Sequence, residues 1–437
     1  MRVAYVSKAL TVAAYRDKLR ALSAHVEVRA LVPARWDATE REGGERDPGG
    51  APWSAACEPG APAGSAGRAS VPARIDRLPV LFAGHNHFHV YRGARRWLEA
   101  MRPDLLHVDE EPYSAVTFQL VRLARRLGVP ALFFAWQNLD KRLPPPFGAM
   151  RARVFRGVAG AIAGTEAAAA VLRRAGYAGP LAVVPQFGVD AARFAPDARA
   201  RAAARRRLGI GDAAFVVGYG GRLVPEKGVD VLLAAAAQLP GAHVAILGDG
   251  RERRRLEELA RRGGIAERVH FVGHVPSLEM PGWLPALDAL ALPSRRSPGW
   301  VEQFGRILVE AMACGVPVVG AATGEIPNVI GDAGAVVPEG DANALAAALR
   351  ALGDDPGRRT ELGRRARRRV LERYTNERVA ADTAAFYHAI LERHARGAPT
   401  AEHAASAAAA TTGAPAAGAG AAGIDAAGAA VPAEARP

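Results

Sequence analysis

The sequence predicts an α/β protein made of two doubly wound, parallel-sheet domains. Three observations carry that expectation. Short apolar runs alternate with helical stretches from the N-terminus to residue 337, the pattern of strand–helix–strand units. The series runs twice, with a polar, arginine-rich helical stretch at residues 198–208 opening the second half. In that second half, strand-like runs end in glycine-rich turns, at Gly220-Gly221 and at Gly248-Asp249-Gly250. An open α/β sheet receives its ligands beyond such strand ends.

In the first half, residues 2–7 read as a buried strand, and a helical stretch leads to a second strand at 26–32. Residues 37–74 change to Gly, Pro, Ala and charge, which predicts a long mobile surface loop. Alternation resumes at Val80. A strand follows at 104–108 and a helix at 114–127, and the Gly128-Val129-Pro130 turn opens a strand that runs to Phe134. Residues 158–163 and 181–185 continue the series, which places the first domain at 1–190. The second domain, 197–374, is expected to hold strands at 215–219, 243–247, 269–272, 289–292, 316–319 and 334–337, with helices between them. A last helix is expected over 375–396. Residues 397–437 are nearly all Ala, Gly, Pro and Thr. Such a tail cannot offset its ordering entropy by burial, so it is expected to be disordered.

The 437 residues are 49% hydrophobic, enough for two or three cored domains. The net charge of +13 favours acidic partners such as nucleotide phosphates or an anionic surface, although solvated arginine-rich helix faces account for much of such an excess. A nucleic-acid binder would need a continuous aromatic–basic face. The arginines are scattered instead, so nucleic acid is not an expected partner. Two cysteines, Cys57 and Cys314, build no disulfide framework and suit a reducing compartment. Residues 2–7 lack the basic lead and longer apolar run of a signal peptide. No run of ~20 apolar residues predicts a spanning helix. The expectation is a cytoplasmic protein.

The densest motif is Glu302-Gln303-Phe304-Gly305-Arg306-Ile307-Leu308-Val309-Glu310, followed by Ala311-Met312-Ala313-Cys314-Gly315-Val316-Pro317. Phe304-Gly305 can open a helix whose free amides and positive dipole end suit a diphosphate. Glu302 then lies just before the helix and Glu310 one to two turns inside it. The two carboxylates can accept hydrogen bonds from different parts of one nucleotide sugar. Gly315 stops the helix and Pro317 secures the exit.

Upstream, Gly220-Gly221-Arg222-Leu223 with Lys227-Gly228 follows the first strand of the second domain. Gly221 lets a phosphate approach the backbone. Arg222 can grip its oxygens bidentately, and Lys227 adds a compact charge. No Gly-Lys-Ser/Thr follows, and the glycine spacing differs from the dinucleotide fingerprint. Gly248 makes a second close-approach turn, with Asp249 the expected cap of the next helix. The backbone at Val272-Gly273, ending a third strand, can read a base edge.

Residues 215–341 resemble the carboxy-terminal domain of the retaining glycosyltransferases of family 4, which have the two-domain GT-B fold. The resemblance rests on Gly221-Arg222-Leu223 with Lys227-Gly228, Leu247-Gly248-Asp249-Gly250, Glu302 with Phe304-Gly305, Glu310 through Pro317, and Gly324-Glu325-Ile326-Pro327, in that order. In the first half it is weaker and mostly architectural. It implies two Rossmann-like domains facing across a cleft, with the last helix crossing back onto the first domain. The donor nucleotide sugar would sit in the second domain, and a glycan, lipid-linked or small-molecule acceptor in the cleft.

Arg222 and Lys227 would then bind the donor diphosphate and stabilise the leaving group, Glu310 would hold the ribose, and Glu302 would contact the transferred sugar. Amides around Phe304-Gly305-Arg306 would support sugar and phosphate. Transfer would keep the anomeric configuration with no metal and no cofactor, a donor phosphate oxygen taking the acceptor's proton. The alternative from another class is a nucleotide-sugar-binding scaffold or regulator without transfer.

Two departures stand out. Many relatives carry a Gly-Gly turn after the first strand, where this chain has Ser7-Lys8-Ala9-Leu10. Many also place a His near the reacting sugar, where this chain has His107-Val108-Asp109-Glu110-Glu111. Either His107 or Asp109 faces the site, and Asp109 is the candidate catalytic residue. His85, His87 and His89 share one face of an extended segment but lack a fourth ligand, so no metal site is expected. Residues 91–102 set Arg92, Arg95, Arg96 and Arg102 beside Trp97, Leu98 and Met101. Such a basic amphipathic helix either packs on its own domain or lies on an anionic membrane, which leaves peripheral contact with the inner face of the cell membrane open.

Overall fold

The computed structural model describes residues 1–12, 15–36 and 73–397. Residues 37–72 of the expected mobile loop, 398–437 of the expected tail and Cys57 lie outside the described residues. Among the described residues two parallel sheets form. The first uses β1 (Arg2–Val6), β2 (Glu27–Pro33), β3 (Arg74–Leu78), β6 (Leu105–Val108), β7 (Ala131–Ala135), β8 (Gly160–Ala163) and β9 (Leu181–Val183), in the order β3-β2-β1-β6-β7-β8-β9. A small antiparallel ribbon pairs β4 (Val80–Leu81) with β5 (Val90–Tyr91). The second sheet holds β10 (Val216–Gly220), β11 (His243–Leu247), β12 (Val269–Gly273), β13 (Ala289–Leu292), β14 (Val318–Ala321) and β15 (Gly334–Val337), in the order β12-β11-β10-β13-β14-β15.

Each sheet reverses its winding once, between β1 and β6 and between β10 and β13. Those reversals are where such sheets hold ligands. Register fixes what emerges there: Val6 lies opposite Val108, so Ser7 and Asp109 leave the first sheet side by side.

The central strands, such as Leu105–Val108, Ala131–Ala135 and Ala289–Leu292, are buried along their whole length because helices cover both faces of each sheet. Helices Ala94–Met101, Ala115–Arg126 and Phe147–Gly157 bury Trp97, Leu98, Leu120, Val154 and Phe155 against one face of the first sheet. The other face receives helix Asp17–Ser23 and the last helix, Asn376–Ala395, through Leu19, Leu22, Val379, Tyr387 and Ile390. Thr375 caps that last helix by accepting from the Arg378 amide. The chain passes between the domains twice, and the passages run side by side: Val189 N donates to Tyr374 O at 2.8 Å, and Asn376 N to Val189 O at 3.1 Å.

Two boundaries differ from expectation for clear reasons. Arg74, placed in the loop, opens edge strand β3, where Asp76 accepts from Arg29 and from the Trp97 indole. β14 starts at Val318 and not at 316, because Val316 N still bonds back to Ala311 O and Pro317 has no N–H to give. Trp97, Leu98 and Met101 are buried, so the apolar face of the helix at 94–101 packs on its own domain. No helix of the described residues is long and apolar enough to cross a membrane.

Candidate active site

The second-domain side of the cleft, the expected donor side, is built on the turns after β10 and β11. These turns cross backbone against backbone: Gly221 N donates to Leu247 O and Leu223 N to Asp249 O, both at 2.9 Å. A Cβ at Gly248 would overlap Gly221 O, and one at Gly250 would overlap Leu223 O. The glycines therefore serve turn-on-turn packing as well as room for a phosphate. The packing fixes Arg222, whose carbonyl accepts from the Tyr219 hydroxyl at 2.8 Å. Its guanidinium is exposed, with no hydrogen bond or ion pair among the described residues. Asp249 does not cap the next helix as expected. That helix starts at Arg253, and Asp249 accepts from Gly250 N at 2.7 Å and pairs with Arg253 at 3.3 Å. Val272 is skipped where β12 changes register against β11, between Phe271 and Gly273, so its backbone lies outside the regular ladder.

Glu302 and Lys227 meet. Lys227 Nζ donates to Glu302 Oε2 at 2.6 Å, and Ser294 Oγ donates to the same oxygen at 2.8 Å. The ammonium also lies 5.1 Å from the centre of the Trp300 ring. Gly305, at φ +77°, turns the chain into helix Arg306–Ala313. A left-handed residue there calls for glycine; Leu308 N bonds back to Gly305 O at 2.8 Å, and the Arg306 and Ile307 amides before it have no helical carbonyl to bind. Glu310 lies one turn inside, buried, with Oε1 2.7 Å from Arg306 Nε. Burial raises the Glu310 pKa, and Arg306 opposes the rise. The Arg306 guanidinium lies 5.1 Å from the Tyr15 ring of the first domain.

The first-domain side of the cleft, the expected acceptor side, is acidic and tightly bonded. His107 is fully buried, with Nδ1 2.5 Å from the Tyr387 hydroxyl and its ring edge-on to Tyr5. Burial depresses its pKa well below the usual value. It therefore lies under the last helix and away from the cleft. Asp109 stands at the end of β6, where it accepts from Ser7 Oγ at 2.7 Å and from Gln186 Nε2 at 3.0 and 3.1 Å. Lys8 bonds Glu110 through its amide at 3.2 Å and its ammonium at 2.5 Å. Glu111 Oε1 accepts from the Trp136 and Gln137 amides at 2.8 and 2.9 Å, while Oε2 has no partner among the described residues. Burial pushes the Glu111 carboxyl up to about 7. Beneath Asp109, the buried Lys18 ammonium donates to the Tyr5 hydroxyl at 3.2 Å, and burial pulls it down to about 8.

Contacts across the cleft join the two sides. Asn138 Nδ2 donates to Glu302 O at 3.2 Å, and Gln303 Nε2 to Trp136 O at 3.4 Å. Glu325 Oε1 accepts from Ala167 N, at the start of helix Glu166–Arg174, at 2.9 Å. Its own amide donates to Glu302 O at 3.1 Å.

The structure thus gathers Gly221, Arg222, Lys227, Gly248, Glu302, Phe304, Gly305, Arg306 and Glu310 around one end of the second sheet, with Asp109 at the facing end of the first. The histidines do not converge. His87 contacts Ser114 and Tyr113, and His89 packs on Trp36. No metal-holding cluster occurs among the described residues. Sequence reasoning missed Ser294, Trp136, Gln186 and Tyr15, and gave Glu111, quoted in its acidic run, no role of its own. Only Ser294 carried a signal, since it follows a strand at the sheet's reversal.

Two facing Rossmann-like domains with the cleft at both reversals define the GT-B glycosyltransferase architecture. Comparison with known proteins narrows the class. Residues 200–369 match the family described as "Glycosyl transferases group 1", and residues 10–186 match the "Glycosyl transferase 4-like domain". The chain belongs to the family-4 type of GT-B glycosyltransferases.

Among curated relatives, it is 40% identical over 195 residues to a GDP-mannose-dependent alpha-(1-6)-phosphatidylinositol monomannoside mannosyltransferase of Mycolicibacterium smegmatis, covering 42% of this chain and 51% of that one. It is 36% identical over 230 residues to a D-inositol 3-phosphate glycosyltransferase of Salinispora tropica, covering 48% and 46%. The chain thus spans about half the length of the curated relatives it matches.

Among solved structures, sucrose-phosphate synthase of Thermosynechococcus elongatus aligns with TM-score 0.65 at 21% identity, over 90% of this chain and 99% of that one. Anabaena HepE in complex with UDP aligns with TM-score 0.66 at 18% identity, over 89% and 100%. At these identities the likeness concerns the fold.

Proposed function

We propose that this protein transfers a hexose from a nucleoside diphosphate sugar to an acceptor hydroxyl, with retention of anomeric configuration and without a metal. The observation that supports this most is the unpaired, exposed Arg222 guanidinium, set beside the Lys227–Glu302 pair at the end of the second sheet. Two cations there meet the charge that grows on the diphosphate as the glycosidic bond breaks. The first-turn amides at Gly305-Arg306 add donors to the same phosphates. Glu302 receives hydroxyls of the sugar, and Glu310 those of the ribose. With the leaving oxygen held on the acceptor's face, it takes the acceptor proton, and attack on that face retains configuration. Catalysis is then orientation and charge stabilisation.

Asp109, held by Ser7 Oγ and Gln186 Nε2, serves in this reading as a positioning residue of the acceptor wall, in place of the catalytic role the sequence offers it. The acceptor is a glycan, lipid-linked or small hydroxylated molecule, and the protein works at the cytoplasmic side, in solution or against the membrane.

The test is thermal shift against GDP-, UDP- and ADP-sugars, since a bound donor raises the melting temperature. Nucleoside diphosphate release and anomeric NMR of the product, with and without EDTA, follow. A donor shift with activity unchanged by EDTA supports the reading. An inverted product or EDTA-sensitive activity overturns it.

A further inference from the structure

The outer face of the first domain carries a charge imbalance that sugar transfer does not use. Helices Ala94–Met101, Ala115–Arg126 and Phe147–Gly157 bring two, three and three arginines to it, against a single acid, Glu99, which pairs with Arg95 at 2.8 Å. All of these arginines but Arg151 are exposed. A groove of about 820 Å³ runs between the first two helices, floored by Val90, Phe118, Leu123 and Met150 and walled by Arg96, Arg122 and Arg126.

An apolar tip adjoins this groove. Between β4 and β5 the chain projects Leu81, Phe82 and Phe88, which are 46%, 64% and 51% exposed. Phe82 sits at φ +59°, a left-handed conformation that costs an aromatic residue energy and that surrounding structure must hold. His85 N donates to Phe82 O at 3.2 Å, and contacts further along anchor the rest of the segment. His87 O accepts from Ala115 N at 2.9 Å, and the Gln119 amide bonds Tyr91 N and O at 2.9 and 2.8 Å. Phe88 packs edge-on to Phe147 at 5.0 Å, on the helix that carries Met150. The tip is therefore fixed at the N-terminal end of helix Ala115–Arg126, with Arg122 and Arg126 about 10 and 16 Å further along it.

We propose that this face docks on an anionic lipid bilayer. Leu81, Phe82 and Phe88 enter the headgroup–acyl boundary, and the arginines meet lipid phosphates. The arrangement favours a bilayer over nucleic acid. Single strands call for aromatic platforms interleaved with the cations, whereas here the apolar groups project together at one end. The helix behind the tip begins at Ala115, separated from Asp109-Glu110-Glu111 by three residues, so docking brings the acceptor wall towards the lipid surface. That consequence, an acceptor drawn from the leaflet, rests on the transfer reading; the docking itself does not.

Vesicle flotation of the full chain tests it, with phosphatidylcholine alone and with added phosphatidylglycerol. Flotation with the anionic vesicles only, and loss of it at high salt, is expected. Each arginine near the surface is worth about fivefold in partitioning, so R122Q/R126Q weakens flotation about 25-fold. F82S/F88S weakens it at least about tenfold. R122Q/R126Q should keep the wild-type melting temperature, F82S/F88S should lower it only by the lost Phe88–Phe147 contact, and both should keep the donor-induced rise, which separates lost docking from a lost fold or donor site. Equal flotation with neutral and anionic vesicles, no flotation at low salt, or double variants that float like wild type overturns the proposal. Polyuridylate that binds more tightly than vesicles, and is insensitive to F82S/F88S, overturns it in favour of nucleic acid.

Discussion

Lys227→Ala strands the Glu302 carboxylate. The ammonium lies 2.6 Å from Oε2, and the two side chains are 15% and 9% exposed. At an effective dielectric of about 20, unit charges at that separation attract by about 6 kcal/mol, much of which offsets the cost of dehydrating both ions. Truncating one member of a buried pair costs about 3–5 kcal/mol, and the residual exposure here sets the expectation at the low end. Ser294 still donates to the same oxygen at 2.8 Å, but a neutral hydroxyl does not replace a cation.

Lys227→Ala and Glu302→Ala should therefore each lower the unfolding free energy by about 3 kcal/mol. The double variant should lose only slightly more than either single one, because it leaves no unpaired ion. Urea denaturation of the four proteins should return a coupling of about 2–3 kcal/mol. In transfer assays, Lys227→Ala should lower kcat/KM about 100-fold, the loss of one preorganised contact to the leaving diphosphate. A coupling below about 0.5 kcal/mol, within the scatter of independent sites, would mean that the pair does not form in solution. An unchanged kcat/KM would remove Lys227 from the leaving-group role.

Burial holds Glu111 protonated up to about pH 7, well above an ordinary Glu, so the folded state binds the extra proton between the two values. Stability therefore falls as pH rises through that window, by about 3 kcal/mol in total. Glu111→Gln should raise the melting temperature at pH 8 and leave it unchanged near pH 4, and an effect independent of pH would refute the assignment. Gly248→Ala should cost more than about 2 kcal/mol in thermal denaturation and shrink the donor-induced shift, since its Cβ meets backbone that cannot yield. A loss under about 0.5 kcal/mol, typical of a tolerant surface site, would deny the turn-on-turn crossing. Glu325→Ala removes the acceptor for Ala167 N. It should cost about 1 kcal/mol, as for a lost helix cap, and widen the cleft in solution scattering; an unchanged scattering profile would show that this contact does not hold the domains together.

The second domain was legible because its strands are buried on both faces, and continuous apolar runs such as residues 243–247 and 289–292 announce that. β3 was not, because Arg74-Ile75-Asp76-Arg77-Leu78 is a half-buried edge strand of mixed polarity behind a Gly/Pro-rich stretch. In the site, Glu302, Arg306 and Glu310 share one contiguous motif, and spacing alone puts Arg306 opposite Glu310 on the helix. Gln186 and Trp136 escaped notice because their work is long-range. Gln186 reaches Asp109 across 77 positions, and Trp136 reaches Gln186 across 50. No local pattern encodes such partners. His107 and Asp109, two residues apart on one strand, share a face by alternation, and only the packing of Tyr387 over His107 shows which of them lies at the cleft.

The two departures from the family pattern turn out to be one arrangement. Ser7-Lys8 stands where many relatives have a Gly-Gly turn, and Asp109-Glu110 follows the strand where many have a histidine. Strand register sets these pairs side by side: Ser7 Oγ donates to Asp109 Oδ2 at 2.7 Å, and Lys8 Nζ to Glu110 Oε2 at 2.5 Å. A Gly-Gly turn has no side chains to offer, and two buried carboxylates facing it would lack a donor and a cation, at a cost of several kcal/mol. Conversely, Lys8 without Glu110 would leave a cation at the base of the acceptor wall. The serine–lysine turn and the acid pair therefore require one another. Their net effect is to exchange a flexible, neutral acceptor floor for a rigid one whose charges are already matched. Trp136 extends that rigidity to the donor side. Its amide donates to Glu111, its indole N–H to Gln186, its carbonyl accepts from Gln303, and its ring faces Phe304 at 6.0 Å. On the proposed reading, an acceptor entering this cleft would meet a preformed wall and not a loop that adapts to it, which would select for shape and hydroxyl placement over charge.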